Sequence, residues 1–262
     1  MGMSYIQIMA MKKKKVLWES LEPMVWYNAI YKNPTVWLKE IFLAEIEITK
    51  KLLSSGEKSS LIDVGCGTAE LLAYCYPHCK YAIGFDINKK FLDKARELHP
   101  EFLRKNAFLV HGNALHLQKV LLKNMPQDFW KTERVVVLVM NTLGIIPETL
   151  RKGILKEMIN LIGNDGILML GCWNKNYFEL GIEWYKRHPE ICGELEAEDY
   201  DVENGTVKIH ESGYESQWWS EETLKNLLEE YRGKYELLFI DKGVGIFAFL
   251  LPPNKRFNYE NL

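Results

Sequence analysis

The stretch SSLIDVGCGTAELLAYC, residues Ser59 to Cys75, decides how this chain is read. A short apolar run, Leu61-Ile62-Asp63-Val64, ends in Gly65-Cys66-Gly67, and a helical pattern then takes over. A strand, a glycine-rich turn and a helix in that order let a ligand lie against bare backbone, with helix N–H groups facing it. The companion requirement is an acid closing the next strand, roughly 20 residues on, to accept ribose hydroxyls. Asp86, in Ile83-Gly84-Phe85-Asp86, stands at that place. The two features together specify an adenosine-type ligand.

The spacing narrows the ligand further. A dinucleotide fingerprint wants a third glycine three positions after Gly67, where this chain has Glu70. That counts against a nicotinamide enzyme, the reading that the glycine turn otherwise leaves open. A triphosphate loop wants Gly-Lys-Ser/Thr, which is absent. Asp63 precedes the turn by two residues, and a carboxylate there repels phosphate but suits an ammonium or sulfonium.

Outward from this segment, strands and helices alternate. Strands are expected at Leu61–Val64, Tyr81–Ile87, Ala107–His111, Arg134–Met140 and Ile167–Gly171, with helices at Thr68–Tyr76, Lys89–Leu98 and Glu148–Ile162. Alternation of this kind predicts a parallel sheet covered by helices on both faces. After a helical stretch over Asn174–His188 the rhythm breaks. Tyr200-Asp201-Val202 and Val207-Lys208-Ile209 flank Asn204-Gly205, a hairpin signal because this pair tolerates positive φ. Ser220 caps another helix, and Tyr235–Ile240 and Val244–Leu251 form a final antiparallel pair across Asp241-Lys242-Gly243. Upstream, residues 16–55 read as helical pieces, with Val36, Trp37, Ile41, Ala44, Glu45, Ile48 and Leu52 at helical spacing and Ser54-Ser55-Gly56 closing them.

Composition sets the limits. The 262 residues are 47% hydrophobic and 26% charged with net charge −2, a globular balance without a basic stripe for nucleic acid. The run Lys12–Lys15 reads as a solvated tail. No stretch approaches the roughly 20 apolar residues of a membrane span, and no signal-peptide core follows the lysines. Ile6 stands where a myristoylation motif at Gly2 would want Ser or Thr. The five cysteines, with no CxxC pair, read as reduced thiols in a cytoplasmic protein; Cys75, His78 and Cys79 make only half a metal site, so no metal is expected.

Leu61-Ile62-Asp63-Val64-Gly65-Cys66-Gly67-Thr68-Ala69 resembles the first motif of class I S-adenosylmethionine-dependent methyltransferases, Phe85-Asp86-Ile87 their second, and His111-Gly112-Asn113-Ala114 their third. Val139-Met140-Asn141-Thr142-Leu143-Gly144 occupies the place of the fourth. The resemblance is strong over residues 58–172 and holds in outline over 220–251. It implies an α/β, Rossmann-like, doubly wound seven-stranded sheet closed by an antiparallel pair. Residues 1–57 become a helical leader or lid, 58–189 and 220–262 the cofactor-binding core, and 190–219 a substrate-side insert.

By the same resemblance S-adenosylmethionine is the cofactor. Gly65, Cys66 and Gly67 carry the turn that approaches it; Asp63 sits near its amine; Asp86 takes both ribose hydroxyls; Ile87 touches adenine; Asn113 and Ala114 read the adenine edge; Asn141 lies near the sulfonium. Ala69 departs from the family's third glycine, and its methyl is expected to be tolerated at a helix start of ordinary φ. Asn113 replaces the usual Asp but keeps an acceptor. Asn141 is not followed by the Pro-Pro-aromatic run of enzymes acting on nucleic-acid or glutamine amino groups, which points away from those substrates.

The chemistry is an in-line displacement from a sulfonium, so positioning matters most; a neutral amine needs no strong base, whereas a phenol or alcohol does. The six histidines are scattered and read as ordinary, with His111 and His210 as the base candidates and Asn141 as the other catalytic candidate. Aromatic residues of the leader and insert, Trp26, Tyr27, Tyr31, Trp173, Tyr177, Tyr214 and Trp218, are the substrate-binding candidates. Such faces stabilise a desolvated cation by up to ~2 kcal/mol. The expected activity is methyl transfer to a small-molecule amine. An O-methyltransferase of a small phenol or acid, and a non-catalytic regulator that merely holds the cofactor, are the alternatives.

Overall fold

The computed structural model describes residues 17–53, 58–104 and 106–253. The Lys12–Lys15 run, Gly2, Ile6 and the Ser54–Gly56 helix stop therefore lie outside the described residues. Strands run β1 (Ser59–Val64), β2 (Tyr81–Asp86), β3 (Ala107–His111), β4 (Glu133–Leu138), β5 (Ile167–Trp173), β6 (Tyr200–Asp201), β7 (Thr206–Ile209), β8 (Tyr214–Gln217), β9 (Glu236–Lys242) and β10 (Gly245–Leu251). The main sheet has seven strands in the order β3-β2-β1-β4-β5-β10-β9. The first five pair parallel, and β10 runs antiparallel to both β5 and β9. The sequence order of neighbours reverses at β1, which lies between β2 and β4. Ligands of open α/β sheets sit beyond the carboxyl ends of the strands at such a reversal.

Each strand face has its own helical layer, as the period of two requires. Ile62, Val64, Val136, Leu138, Leu168 and Leu170 share one core with residues of Leu117–Asn124, Glu148–Ile162 and Glu221–Leu228. Leu61, Val135, Val137, Phe247 and Phe249 share the other with Val36–Leu52, Glu70–Cys75 and Lys89–Leu98. β1, β2, β5 and β10 are buried along their whole length, and β5 and β10 accordingly read as continuous apolar runs.

A third cluster joins the leader to the insert. Trp26, Ile30, Trp37 and Ile41 from the leader pack with Val207, Ile209, Tyr214 and Trp218 from the insert, around Trp173 and Trp184. The insert is itself a three-stranded antiparallel sheet, β6-β7-β8. The hairpin turn has Gly205 at φ 64°, as the Asn-Gly pair predicts. Its third strand and the helix Leu117–Asn124 had no strong periodic signal in the sequence.

Candidate active site

Three backbone N–H contacts, two of them from the glycine turn, set the site. The Gly65 N–H donates to the Phe85 carbonyl at 2.7 Å, which folds the turn back onto β2. The Gly67 N–H donates to Asp86 Oδ2 at 2.9 Å, and the Asn88 N–H to Asp86 Oδ1 at 2.7 Å. Gly67 needs its missing side chain: φ is +55°, the left-handed region. Burial pushes the Asp86 carboxyl up, and the Asn88 and Gly67 amides and the nearby His111 oppose that shift. Asn88 then ties down the leader, its Nδ2 donating to the Trp18 and Leu21 carbonyls at 2.9 and 3.0 Å.

Ala69 corrects the sequence expectation. It does not stand at ordinary φ but at φ 67°, ψ 30°, immediately before the helix Glu70–Cys75. A Cβ in that conformation crowds the carbonyl and costs roughly 1–2 kcal/mol, which is the physical reason for a glycine here in the family pattern. Met140 and Asn141, at the end of β4, are also left-handed, at φ 51° and 56°. Consecutive residues in this region persist only where their surroundings over-determine them.

A cleft of about 180 Å³ opens at the sheet reversal. Gly65, Gly67, Asp86, Ile87, Asn113 and Ala114 line it together with Thr142, Ile145, Ile146, Pro147 and Ile154. Trp18 and Trp26 of the leader also line it. Trp18 had no place among the sequence candidates; its signal was only the aromatic density of the leader. A larger concavity, about 630 Å³, lies at the opposite edge of the sheet among Lys80, Asp128, Arg134 and Asp165. It borders the amino ends of β2, β4 and β5, away from the glycine turn, and so has no backbone cradle.

Other sequence candidates are placed differently. Asn141 is fully buried and does not line the cleft. Its Nδ2 donates to the Gln217 carbonyl at 3.1 Å and its Oδ1 accepts the Trp173 N–H at 3.3 Å, so it fastens β8 of the insert to β4 and β5. Asn113 Oδ1, the acceptor expected to read the adenine edge, accepts the Leu115 N–H at 2.9 Å within its own turn. Cys66 is buried behind the turn, where its Sγ crowds Gly84. His111 is exposed at the end of β3, with Nε2 3.0 Å from the Ile87 carbonyl; His210 is exposed just after β7.

Among the aromatic candidates, Trp26 alone reaches the cleft. The Trp173 ring meets Trp37 and Trp218 at 5.3 and 5.1 Å between centroids. Trp218 Nε1 donates to the Tyr185 hydroxyl at 2.9 Å, and Tyr214 packs its ring 5.6 Å from that of Tyr185. Tyr27 and Tyr31 face each other at 6.0 Å, and Tyr177 is exposed beyond β5.

Beside the turn is a group of buried acids. Glu45, Asp63 and Glu70 are each at most 6% exposed, and among the described residues Glu45 Oε2, Asp63 Oδ1 and Glu70 Oε1 accept no hydrogen bond. Burial, chiefly, pushes the Glu45 and Asp63 carboxyls up to about 8 each. Glu45 Oε1 accepts the Met140 N–H at 2.7 Å. His99 stands 3.6 Å from Glu70, while among the described residues no salt bridge reaches Glu45 or Asp63. Orphaned carboxylate oxygens fit a ligand that brings its own positive charge. The sequence carried a signal for Glu45: it is an acid set inside an otherwise apolar helical stripe.

A glycine turn bonded to a buried aspartate, at the reversal of a seven-stranded sheet, defines an α/β protein built to hold an adenosine derivative. The family model of the methyltransferase domain matches residues 55–229, and the chain belongs to that family. It is an S-adenosylmethionine-dependent methyltransferase. The N-methyltransferase NodS from Bradyrhizobium japonicum WM9, in complex with S-adenosyl-L-homocysteine, is 14% identical, with TM-score 0.56 over 91% of this chain and 100% of that one. A SAM-dependent methyltransferase from Anabaena variabilis is 16% identical, with TM-score 0.58 over 90% and 93%. An O-methyltransferase family protein from Burkholderia thailandensis is 11% identical, with TM-score 0.55 over 81% of this chain and 57% of its own. At these identities the likeness is one of fold. A search of curated proteins finds no match to the sequence.

Proposed function

We propose that this methyltransferase acts on a small-molecule amine nitrogen. The observation that carries the reading is the chemistry of the cleft wall: among the described residues Glu19 and Asp86 are its only titratable lining residues, and the rest is apolar apart from the Asn113 amide and the Thr142 hydroxyl. A phenol or alcohol must lose its proton to become a nucleophile, and His111 and His210 do not line the wall. A neutral amine already carries its lone pair. The rings of Trp18 and Trp26 suit an acceptor that becomes cationic.

In this reading Asp86 accepts the ribose hydroxyls of S-adenosylmethionine, Ile87 and Ala114 contact its adenine, and Gly65 and Gly67 let its chain pass along the backbone. Asp63 faces its amine. The cofactor supplies an electrophilic methyl on a sulfonium. The protein's own part is to orient, to exclude water under the leader and insert, and to leave the acceptor nitrogen unprotonated. The five unpaired cysteines support a reducing, cytoplasmic setting.

The test is transfer of a radiolabelled methyl from S-adenosylmethionine to panels of small amines, phenols and carboxylic acids, with products identified by mass spectrometry. Label in amines alone is the expected result. Label confined to phenols or acids would assign the O-methyl reading. Cofactor binding with no transfer to any panel would overturn the small-amine reading.

A further inference from the structure

Glu45 stands out because the methyl-transfer reading gives it nothing to do. It comes from the leader helix Val36–Leu52, is fully buried, and has one carboxylate oxygen on the Met140 N–H and the other on nothing. Asp63, on the adjoining β1, is likewise buried with an oxygen to spare. The groups that face this pair are themselves acidic or neutral: Asp86 at the end of β2, Glu70 from the helix after the turn, the Tyr31 hydroxyl from the leader, and the thiols of Cys66 and Cys172. Burial and then the nearby Glu70, Glu45 and Asp63 push the Tyr31 hydroxyl well up, so all three acids lie within electrostatic reach of it. Its segment, Asn28–Lys32, is a π-helical turn, a form that clusters at functional sites.

Two neighbouring buried carboxyls with no cation are costly unless something brings the missing charge. A structural role explains one oxygen of Glu45 and leaves the other without purpose. We propose that Glu45, supplied by the leader, joins Asp63 to form a two-carboxylate seat for the ammonium of the methyl donor's amino-acid end. This deepens the cofactor-site reading and rests on it. The leader is then part of the donor site as well as a cover over the acceptor. Ligands that keep the adenosine but lack the ammonium lose this contact and keep the others.

The substitution Glu45→Gln removes the charge and preserves an oxygen for the Met140 N–H. Affinities of the full chain for S-adenosylhomocysteine and 5′-methylthioadenosine, which lacks the amine, are measured by calorimetry at neutral pH in two buffers of different ionisation enthalpy. Wild-type protein is expected to release protons on binding the first ligand and none on binding the second. E45Q is expected to bind S-adenosylhomocysteine about tenfold or more weakly, with less proton release, and to bind 5′-methylthioadenosine as wild type does. Its ligand-free melting temperature is expected to be equal or higher, which excludes misfolding. Equal affinity of E45Q and wild type for S-adenosylhomocysteine, or an equal loss for both ligands, would overturn the assignment of Glu45 while leaving the cofactor site standing. Binding of neither ligand by wild-type protein would overturn the cofactor-site reading and this inference with it.

Discussion

Asp86→Asn is the sharpest test of the turn. The carboxylate offers one oxygen to the Gly67 N–H at 2.9 Å and the other to the Asn88 N–H at 2.7 Å. An asparagine of the same shape has a single carbonyl, so its NH₂ must face one of those donors. A hydrogen bond to a charged group contributes about 1.5–3 kcal/mol, and the residue is only 9% exposed, so the stranded N–H gains little from water. Against this, burial disfavours the charge that the substitution removes. The balance is a stability loss of about 2 kcal/mol. The effect on the ligand is separate and larger: an acceptor of ribose hydroxyls is lost from a buried site, costing about 2–4 kcal/mol, or roughly 30- to 1000-fold in affinity. Urea unfolding reads the first quantity and calorimetry with S-adenosylhomocysteine, on protein shown to be folded, reads the second. A variant that unfolds at the wild-type midpoint and binds within twofold of wild type would refute both the geometry of the turn and the role given to Asp86.

Ala69→Gly should stabilise the ligand-free chain by about 0.5–1 kcal/mol, because relief at φ 67° exceeds the entropy a glycine loses on folding; a destabilised variant in urea unfolding would count against the left-handed assignment. Stability of the ligand-free protein should fall as pH rises between about 4 and 8. Glu45 and Asp63, raised to about 8 in the folded chain, hold protons there that the unfolded chain has released, giving a slope of up to about 1.4 kcal/mol per pH unit for each group. Unfolding midpoints across that range, with a shallower profile in E45Q, are the check, and a flat or rising wild-type profile would contradict the burial of the pair. Glu47, Asp93, Asp128 and Asp201, whose carboxyls are lowered by their partners, act oppositely and lose their contribution only in more acidic solution.

What the sequence disclosed was whatever is local. Gly65, Gly67 and Asp86 are set by a strand–turn–helix whose register depends on adjacent residues, and the strand periodicities of β1 to β5 follow from burial on both faces. The hidden parts depend on distant chain. Asn141 reads as a cleft residue by its position after β4, yet its side chain is claimed by Gln217 and Trp173, which reach it from the insert and from β5. Ala69 looks like a helix start, and only the direction of the turn beneath it makes φ positive. The helix Leu117–Asn124 buries just Leu117 and Leu121, too few residues for a periodic signal. Glu45 lay in plain view within an apolar stripe, but the partner that gives it meaning, the Met140 amide, is 95 residues away.

These distant contacts share a logic. The leader is held by Asn88, directly after the ligand-reading end of β2, and by Glu45 on the strained end of β4; the insert is held by Asn141, one residue further along the same strained stretch. The cover is thus attached to the same strand ends that form the cleft. A ligand that shifts those ends by a fraction of an ångström acts directly on the hydrogen bonds that hold the cover in place. The packing of Trp37 from the leader against Trp218 from the insert, around Trp173, joins the two segments. Trp18 and Trp26, the leader residues that line the cleft, precede residues 55–229 matched by the family model, whereas Gly65, Gly67 and Asp86 lie within them.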